Sequence, residues 1–315
     1  MTPKDILAAF PNIKALVAGD ICLDRWCTYD PSLAEPSRET GIARLGVVDT
    51  EVTPGAGGTV ANNLASLGIG RVAVLGAIGT DGFGYELVDA LNRRKIEPEL
   101  LIRSEALSTF TYTKLINSQT GIEDQPRVDF LNAREIPGEI EQQVIDTLRR
   151  VSGEFDVIFI ADQAETERGG VITAAVREAV SQLKNKVVLV DSRMRAALFR
   201  NVIIKPNQEE AGPGSYQRLL EAVGSRVLFV TQGPRGVLVV EPGKETLVPT
   251  RAVENPVDIC GAGDSFAAGA GVALAITGSA VEAARFGNLV ASVTIMKKGT
   301  GAAAPDEVLH VHAGH

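Results

Sequence analysis

The sequence predicts a three-layer α/β/α fold with a mainly parallel central sheet and a small second sheet. Three features carry that expectation. From residue 139 onward, continuous apolar runs at 156–161, 186–191, 201–205 and 226–231 alternate with amphipathic stretches at 139–151, 170–184 and 215–223. Strands with no wet face, separated by helices, belong to a parallel sheet covered on both sides. Residues 46–52, 109–116 and 125–131 instead alternate apolar and polar, which suits a separate sheet with one wet face. Finally, Gly261-Ala262-Gly263 precedes a small, apolar run over 265–276, the pattern of a glycine-rich turn opening a buried helix.

Taken in order, residues 13–18 form a buried strand that ends at Gly19-Asp20, and Asp24 follows four residues later. Residues 28–53 are mixed and polar. Gly55-Ala-Gly57-Gly58-Thr59 is a glycine-rich loop feeding a short helix that stops at Gly68. A strand at 71–78, a turn at 79–84 and a helix at 85–94 come next. In the second half, Asn207 and Glu210 follow the strand at 201–205, and Thr231-Gln-Gly233-Pro-Arg-Gly236 follows the strand at 226–231. A turn leading into residues 237–240 is the simplest structural reading of that last loop. A long helix at 279–296 closes on Lys297-Lys-Gly-Thr-Gly301.

A chain of 315 residues, 45% hydrophobic and 22% charged, can bury a sizeable core. A formal net charge of -8 argues against nucleic acid as a partner. No apolar run reaches the ~18 residues of a membrane span, and the start has no signal-peptide pattern. Cys22, Cys27 and Cys260 fit no zinc spacing and suggest reduced thiols in a cytoplasmic protein. All three histidines, His310, His312 and His315, fall in a tail read as loose, which excludes a histidine-based triad or metal site in the body. Neither Gly-x-Gly-x-x-Gly nor Gly-x-x-x-x-Gly-Lys-Ser/Thr is matched, so dinucleotide and Walker-type readings lose support.

The chemistry centres on Asp264. Backbone N–H groups at a glycine-rich helix start bind anions, and a carboxylate beside them can take a hydroxyl proton. Together they meet the needs of phosphoryl transfer to an alcohol. A plain helix cap with a tight turn is the competing reading.

The longer string Asp258-x-x-Gly261-Ala262-Gly263-Asp264-Ser-Phe resembles the signature of the ribokinase-like sugar kinases, the PfkB family, except that Cys260 stands where threonine is usual. Gly19-Asp20-x-x-Leu-Asp24, the 54–68 loop and Asn207-x-x-Glu210 follow in family order. This resemblance implies one ribokinase-like kinase domain over 1–315, with a lid inserted from about 28–53 and 107–133 and a homodimer formed through that lid. It implies ATP and Mg2+, and a K+ ion near Asp258. Asp264 would be the base, with Gly261, Ala262, Gly263 and Asp264 forming the anion hole. Asp20, Asp24, Gly55, Gly57, Gly58, Thr59, Arg127 and Asp129 would hold a sugar or sugar phosphate. Asn207 and Glu210 would hold Mg2+ through water, and Thr231, Gly233, Gly236 and Asn288 the nucleotide.

Gly-Asp-x-x-Leu-Asp-Arg and Arg127-Val-Asp129-Phe look most similar to heptose 7-phosphate kinases. Fructose, ribose, another ketose or a nucleoside are the alternatives as substrate. A non-catalytic sugar-binding regulator is the alternative of another class. Besides Cys260, and Pro36-Ser-Arg-Glu-Thr40 in place of a proline-rich acidic segment, three further places depart from the pattern. The usual sugar-contacting asparagine falls on Thr59, the usual glycine pair is Gly55-Ala56, and Ser192-Arg193 replaces an expected lysine after Asp191.

Overall fold

The computed structural model describes residues 1–313 apart from 167, 186, 213, 252 and 254. Its elements run as follows. α1 (Pro3–Ala9) precedes β1 (Lys14–Gly19), β2 (Ile21–Pro36), β3 (Ala43–Ala56), α2 (Gly57–Ser66), β4 (Arg71–Gly79), α3 (Gly82–Arg93) and β5 (Glu97–Ser104). Next come β6 (Thr111–Asn117), β7 (Val128–Phe130), α4 (Gly138–Val151), β8 (Val157–Asp162), α5 (Ala174–Ser181), β9 (Val187–Ser192) and β10 (Ile203–Ile204). The chain ends with α6 (Tyr216–Val223), β11 (Leu228–Thr231), β12 (Val237–Glu241), β13 (Lys244–Val248), α7 (Ala262–Thr277), α8 (Ala280–Thr294) and α9 (Pro305–Ala313).

Nine strands form the large sheet, in the order β13-β12-β11-β10-β9-β8-β1-β4-β5. Its pairs are parallel from β5 through to β11, and β12 and β13 close one edge as antiparallel strands. Side chains alternate across it, as strand geometry requires. Ala15, Val17, Val157, Phe159, Val187 and Leu189 face a core shared with α2, α3, α7 and α8. Leu16, Ala18, Ile158, Ile160, Val188 and Val190 face the opposite core, with α4, α5 and α6. Both faces are therefore covered, which is why these strands read as unbroken apolar runs.

The smaller sheet has the order β3-β2-β6-β7, antiparallel except between β2 and β6. It contains all of 46–52, but only 111–116 and 128–130 of the other two stretches whose alternation set them apart. It also reaches further than 28–53, because β2 starts at Ile21, one residue beyond the end of β1. That strand was hidden in a polar stretch. Its first residues are buried and its second half is exposed, so neither a clean alternation nor an apolar run shows. β5 and β13 were also not foreseen. The helix expected at 170–184 is shorter, Ala174–Ser181, and the strand expected at 201–205 is only Ile203–Ile204. Lys186 of the expected 186–191 strand lies outside the described residues.

The tail read as loose is helix α9. Pro305 opens it, Asp306 and Glu307 occupy its first turn, and Val308 is fully buried in the main core. His310 and His312 ride on it, while His315 lies outside the described residues. Among the described residues no helix is long and apolar enough to cross a membrane.

α7 is buried on nearly every side and is built from small residues because its neighbours leave no room. A β-carbon on Gly271 would stand 2.4 Å from the Phe159 ring, and one on Gly269 2.8 Å from Val290 of α8. Gly271→Ala should therefore destabilise the protein by about 1–3 kcal/mol, the usual cost of overpacking. Gly82→Ala in the first turn of α3, where a β-carbon meets nothing within 4 Å, should be nearly neutral. Urea unfolding of the two variants checks this; equal midpoints would refute the packing account.

Candidate active site

Parallel strands gather their carboxyl ends on one edge of a sheet, and ligands bind there. Here that edge carries Asp20 after β1, Gln163 after β8, Asp191 to Arg193 at the end of β9, Lys205 and Asn207 after β10, and Thr231 at the end of β11. The amino end of α7 points into the same place, and the small sheet stands over it. Between them lies a cavity of about 130 Å³ whose walls include Asp24, Trp26, Thr59, Arg193, Cys260 and Asp264.

Gly261 precedes α7 in the left-handed region, at φ 77°, which only glycine adopts without strain. Ser265 N–H and Oγ both donate to its carbonyl oxygen, which locks the turn. Ala262 donates its N–H to the Ile259 carbonyl at 3.2 Å, so it is not a free member of the expected anion hole. The N–H groups of Gly263 and Asp264 have no acceptor among the described residues, as the first turn of a helix leaves them. Asp264 is half-buried and its carboxylate accepts no hydrogen bond from a described residue. It is not a side-chain cap. Burial, then the nearby Asp191, push its carboxyl up to about 7, against the pull of Lys205 and Arg193.

Asp24 faces the same cavity from β2, again without a hydrogen-bonding partner among the described residues. Burial raises its carboxyl to about 6 against Lys114, Arg127 and Arg193. Gly55 makes room for it, since a β-carbon there would stand 2.2 Å from Asp24 Oδ1. Gly57 and Gly58 are packing glycines, meeting Ile21 and Pro54 respectively. Between Gly55 and Gly57, Ala56 holds φ 51°, a strained value for a residue with a side chain. Thr59 lines the cavity, and its hydroxyl donates to the Pro54 carbonyl at 3.5 Å.

Asp20 departs from expectation. Its carboxylate is buried and accepts the N–H groups of Gln163, Ala164 and Val171 at 2.8, 2.9 and 2.8 Å. It does not line the cavity, because the backbone occupies it. Asp129 departs likewise: both its oxygens receive Arg127, each at 2.7 Å. Arg127 itself lines the cavity, stacked over Tyr112.

Asn207 and Glu210 bond reciprocally. Asn207 Oδ1 accepts the N–H groups of Glu209 and Glu210, and Glu210 Oε2 accepts the Asn207 N–H at 2.7 Å. This closes a turn rather than capping a helix. The second oxygen of Glu210 stays without a partner among the described residues. Its carboxyl is raised by burial and restrained by Lys205. An all-oxygen pair with one oxygen spare fits Mg2+ held through water.

Thr231 bridges to Asn207, and Gly233 and Gly236 take φ 57° and 96° in the tight loop that follows. Asn288 of α8 is tied to the segment that packs against Gly236, since a β-carbon on that glycine would stand 2.2 Å from the Val248 carbonyl oxygen. Asn288 Nδ2 donates to the Val248 and Pro249 carbonyls, on the wall of a second cavity of about 550 Å³. Asp258 spends both oxygens on backbone, accepting Cys260 N–H and Gly299 N–H. No cluster of three metal-ligating side chains exists among the described residues. A monovalent cation there would rest on carbonyl oxygens.

Reading the sequence missed Lys205. It is buried, its Nζ stands 3.0 Å from Asp191 Oδ2, and a β-carbon on Gly263 would lie 3.3 Å from that Nζ. Burial works against its charge, but Asp191, Glu210 and Asp264 outweigh that and raise its pKa. A lysine ending an apolar strand was the available signal. Gln163, Glu165, Arg193, Tyr112 and Lys114 also line the cavity and were not foreseen.

The two unpartnered carboxylates oppose folding when ionised. Their folded-state values stand above the ordinary 3.8, so the penalty is absent below about 4 and complete above about 7. Asp24→Asn with Asp264→Asn should raise Tm by several degrees at mildly alkaline pH, with the gain shrinking as pH falls toward about 4. Thermal melts across pH check the sign, and a gain that grows on acidification would refute it.

Comparison with known proteins shows the family and the fold. The family model described as pfkB family carbohydrate kinase matches residues 22–307. Proteins named bifunctional protein HldE are similar over nearly the whole chain. The one from Geobacter sulfurreducens is 29% identical, over 98% of this chain and 65% of its own length. The one from Nitratiruptor sp. is 28% identical, over 94% and 64%. The chain thus spans less than two-thirds of these relatives. Among solved structures, ribokinase from Thermotoga maritima superposes with a TM-score of 0.72 at 20% identity, covering 96% of this chain and 99% of that one. Phosphofructokinase-2 from Escherichia coli in complex with potassium gives 0.73 at 19% identity, with the same coverage. The fold is ribokinase-like, and the chain belongs to the pfkB family of carbohydrate kinases.

Proposed function

We propose that this kinase transfers the terminal phosphoryl group of ATP to a hydroxyl of a sugar or sugar phosphate, in the manner of a heptose 7-phosphate kinase. The observation that supports it is an Asp264 carboxylate beside two N–H groups, facing a second carboxylate, Asp24, across one cavity, all without a hydrogen-bonding partner among the described residues. Asp24 accepts hydrogen bonds from sugar hydroxyls, and Thr59 and Arg127 bound the sugar. Asp264 takes the proton of the attacking hydroxyl as base. The N–H groups of Gly263 and Asp264 meet the charge on the moving phosphoryl group, with the Lys205 ammonium behind Gly263.

The nucleotide lies along the 231–236 loop, with its base toward the larger cavity beside Asn288. Glu210 and Asn207 would hold Mg2+ through its waters; when bound, the ion neutralises phosphate charge. A K+ ion near Asp258 would be held by backbone carbonyl oxygens, since both Asp258 oxygens accept backbone N–H groups.

One observation favours another sugar. Ser192 donates to Asp162, and Arg193 occupies the cavity wall where a heptose phosphate kinase is expected to present lysine. Fructose, ribose, another ketose and their phosphates therefore belong in the same assay. We place the enzyme in the cytoplasm and propose a homodimer through the small sheet. That sheet exposes Val47, Val48, Val128 and Phe130. Val48→Glu should then yield monomers in light scattering; a wild-type protein that is already monomeric overturns this.

Two further outcomes follow. Asp264→Asn should lose roughly 10²–10⁴ in kcat for sugar-dependent ADP release, with smaller changes in KM and no loss of Tm. An Asn variant retaining more than about a tenth of the turnover would end the base assignment. Because the base must be ionised and its carboxyl stands at about 7, kcat/KM should fall as pH drops below about 7. A profile flat down to pH about 5 would contradict it.

A further inference from the structure

We propose that Asp20 is a positioning residue for sugar recognition, which touches no substrate and acts by fixing two walls of the cavity at once. The inference rests on the sugar-kinase reading of that cavity.

The geometry is specific. Asp20 occupies the single position between β1 of the large sheet and β2 of the small one. Its N–H donates to the Ala161 carbonyl at 2.9 Å, and its carbonyl accepts the Gly57 N–H at 2.9 Å, at the start of α2. That second bond seats the helix that carries Thr59. Its carboxylate accepts Gln163 and Ala164 N–H on one oxygen and Val171 N–H on the other. Those three donors belong to the connection from β8 to α5, which presents Gln163 and Glu165 to the cavity.

Among the described residues no cation lies within ion-pair distance of the Asp20 carboxylate, and backbone N–H groups satisfy it. The same connection is held from its other side by Arg195, which donates to the Ala164 and Thr166 carbonyls and to the buried Asp162. Gln163 in turn accepts Arg193 Nε, so the clamp also places that guanidinium. The connection has hydrogen bonds of its own, such as Gly169 N–H to Thr166 Oγ1, but two buried acidic side chains tie it to the sheet, Asp20 directly and Asp162 through Arg195.

An amide at position 20 keeps the shape but cannot accept three N–H donors on its two terminal atoms. Asp20→Asn should therefore release the connection. The panel is D-glycero-D-manno-heptose 7-phosphate, D-ribose, D-fructose and D-fructose 6-phosphate, each with ATP and Mg2+. For whichever of these the wild type phosphorylates, sugar KM should rise on the order of 10-fold or more. KM for ATP should hold, and kcat at saturating sugar should stay within about 3-fold. Trp26, the only tryptophan and part of the cavity wall, reports sugar binding by fluorescence and should show the same shift.

In a Glu165→Ala background the Asp20→Asn effect should shrink, because both changes act through one wall. Hydrogen exchange at the Gln163, Ala164 and Val171 amides should speed up in Asp20→Asn, which tests the clamp without catalysis. Unchanged sugar KM in a folded variant, or additive effects with Glu165→Ala, overturn the proposal. If Asp20→Asn does not fold, Gly170→Ala serves instead. Its β-carbon would stand 2.8 Å from Ala164 Cβ and 3.4 Å from both Asp20 oxygens, and it should raise sugar KM in the same way. Wild-type protein with no ADP release from any sugar would sink the kinase reading. The amide exchange result would still decide the clamp.

Discussion

The buried pair of Lys205 and Asp191 is the interaction on which the site depends. A fully buried charge is costly unless it is paired, and this edge of the sheet concentrates acids: Asp20, Asp162, Asp191, Glu210, and beyond them Asp24 and Asp264. Each of the inner ones is satisfied in its own way. Lys205 serves Asp191, Arg195 and Ser192 serve Asp162, and backbone N–H groups serve Asp20. Glu210 closes the turn of Asn207. Asp24 and Asp264 are left with no hydrogen-bonding partner among the described residues. Their raised pKa values are the cost of that arrangement, and the same desolvation makes Asp264 a stronger base than a solvated carboxylate.

The two sheets give the cavity its shape. The large sheet brings together strand ends far apart in sequence, and the amino end of α7 adds donors that no side chain supplies. The small sheet supplies Asp24, Trp26, Tyr112, Lys114 and Arg127 from above. A single residue, Asp20, separates the two sheets along the chain, so the position of one wall relative to the other is set by a few hydrogen bonds at that junction. The close approach of Gly55 to Asp24 and the strained Ala56 sit at the end of β3, paired with the first residues of β2 beside that junction. Such local strain is tolerated where surrounding packing over-determines it.

Much of this was legible in the linear chain. The alternation of apolar runs with amphipathic stretches made the parallel sheet evident, because a strand covered on both faces has no polar side to show. Gly261-Ala-Gly-Asp264 marked the helix start, since only small residues permit that turn. The small sheet was partly visible through 46–52, 109–116 and 125–131, but β2 was not: its burial changes halfway along, so no single period runs through it. The tail was misread because its composition is that of a loose end, and only packing of Val308 into the main core makes it a helix.

The pattern of residue types by itself settled the layers and the glycine turn before α7, since these follow from local periodicity and from what a backbone can do. Which acids face the cavity was decided only by tertiary structure. Asp20 and Asp24 lie four residues apart in one motif and look alike. One is consumed by three N–H groups from a connection more than 140 residues away, and the other is left open. Lys205 looked like a strand-ending lysine until the fold set it under Gly263. A carboxylate's role depends on which donors the fold brings within about 3 Å of it, and no local pattern encodes that distance.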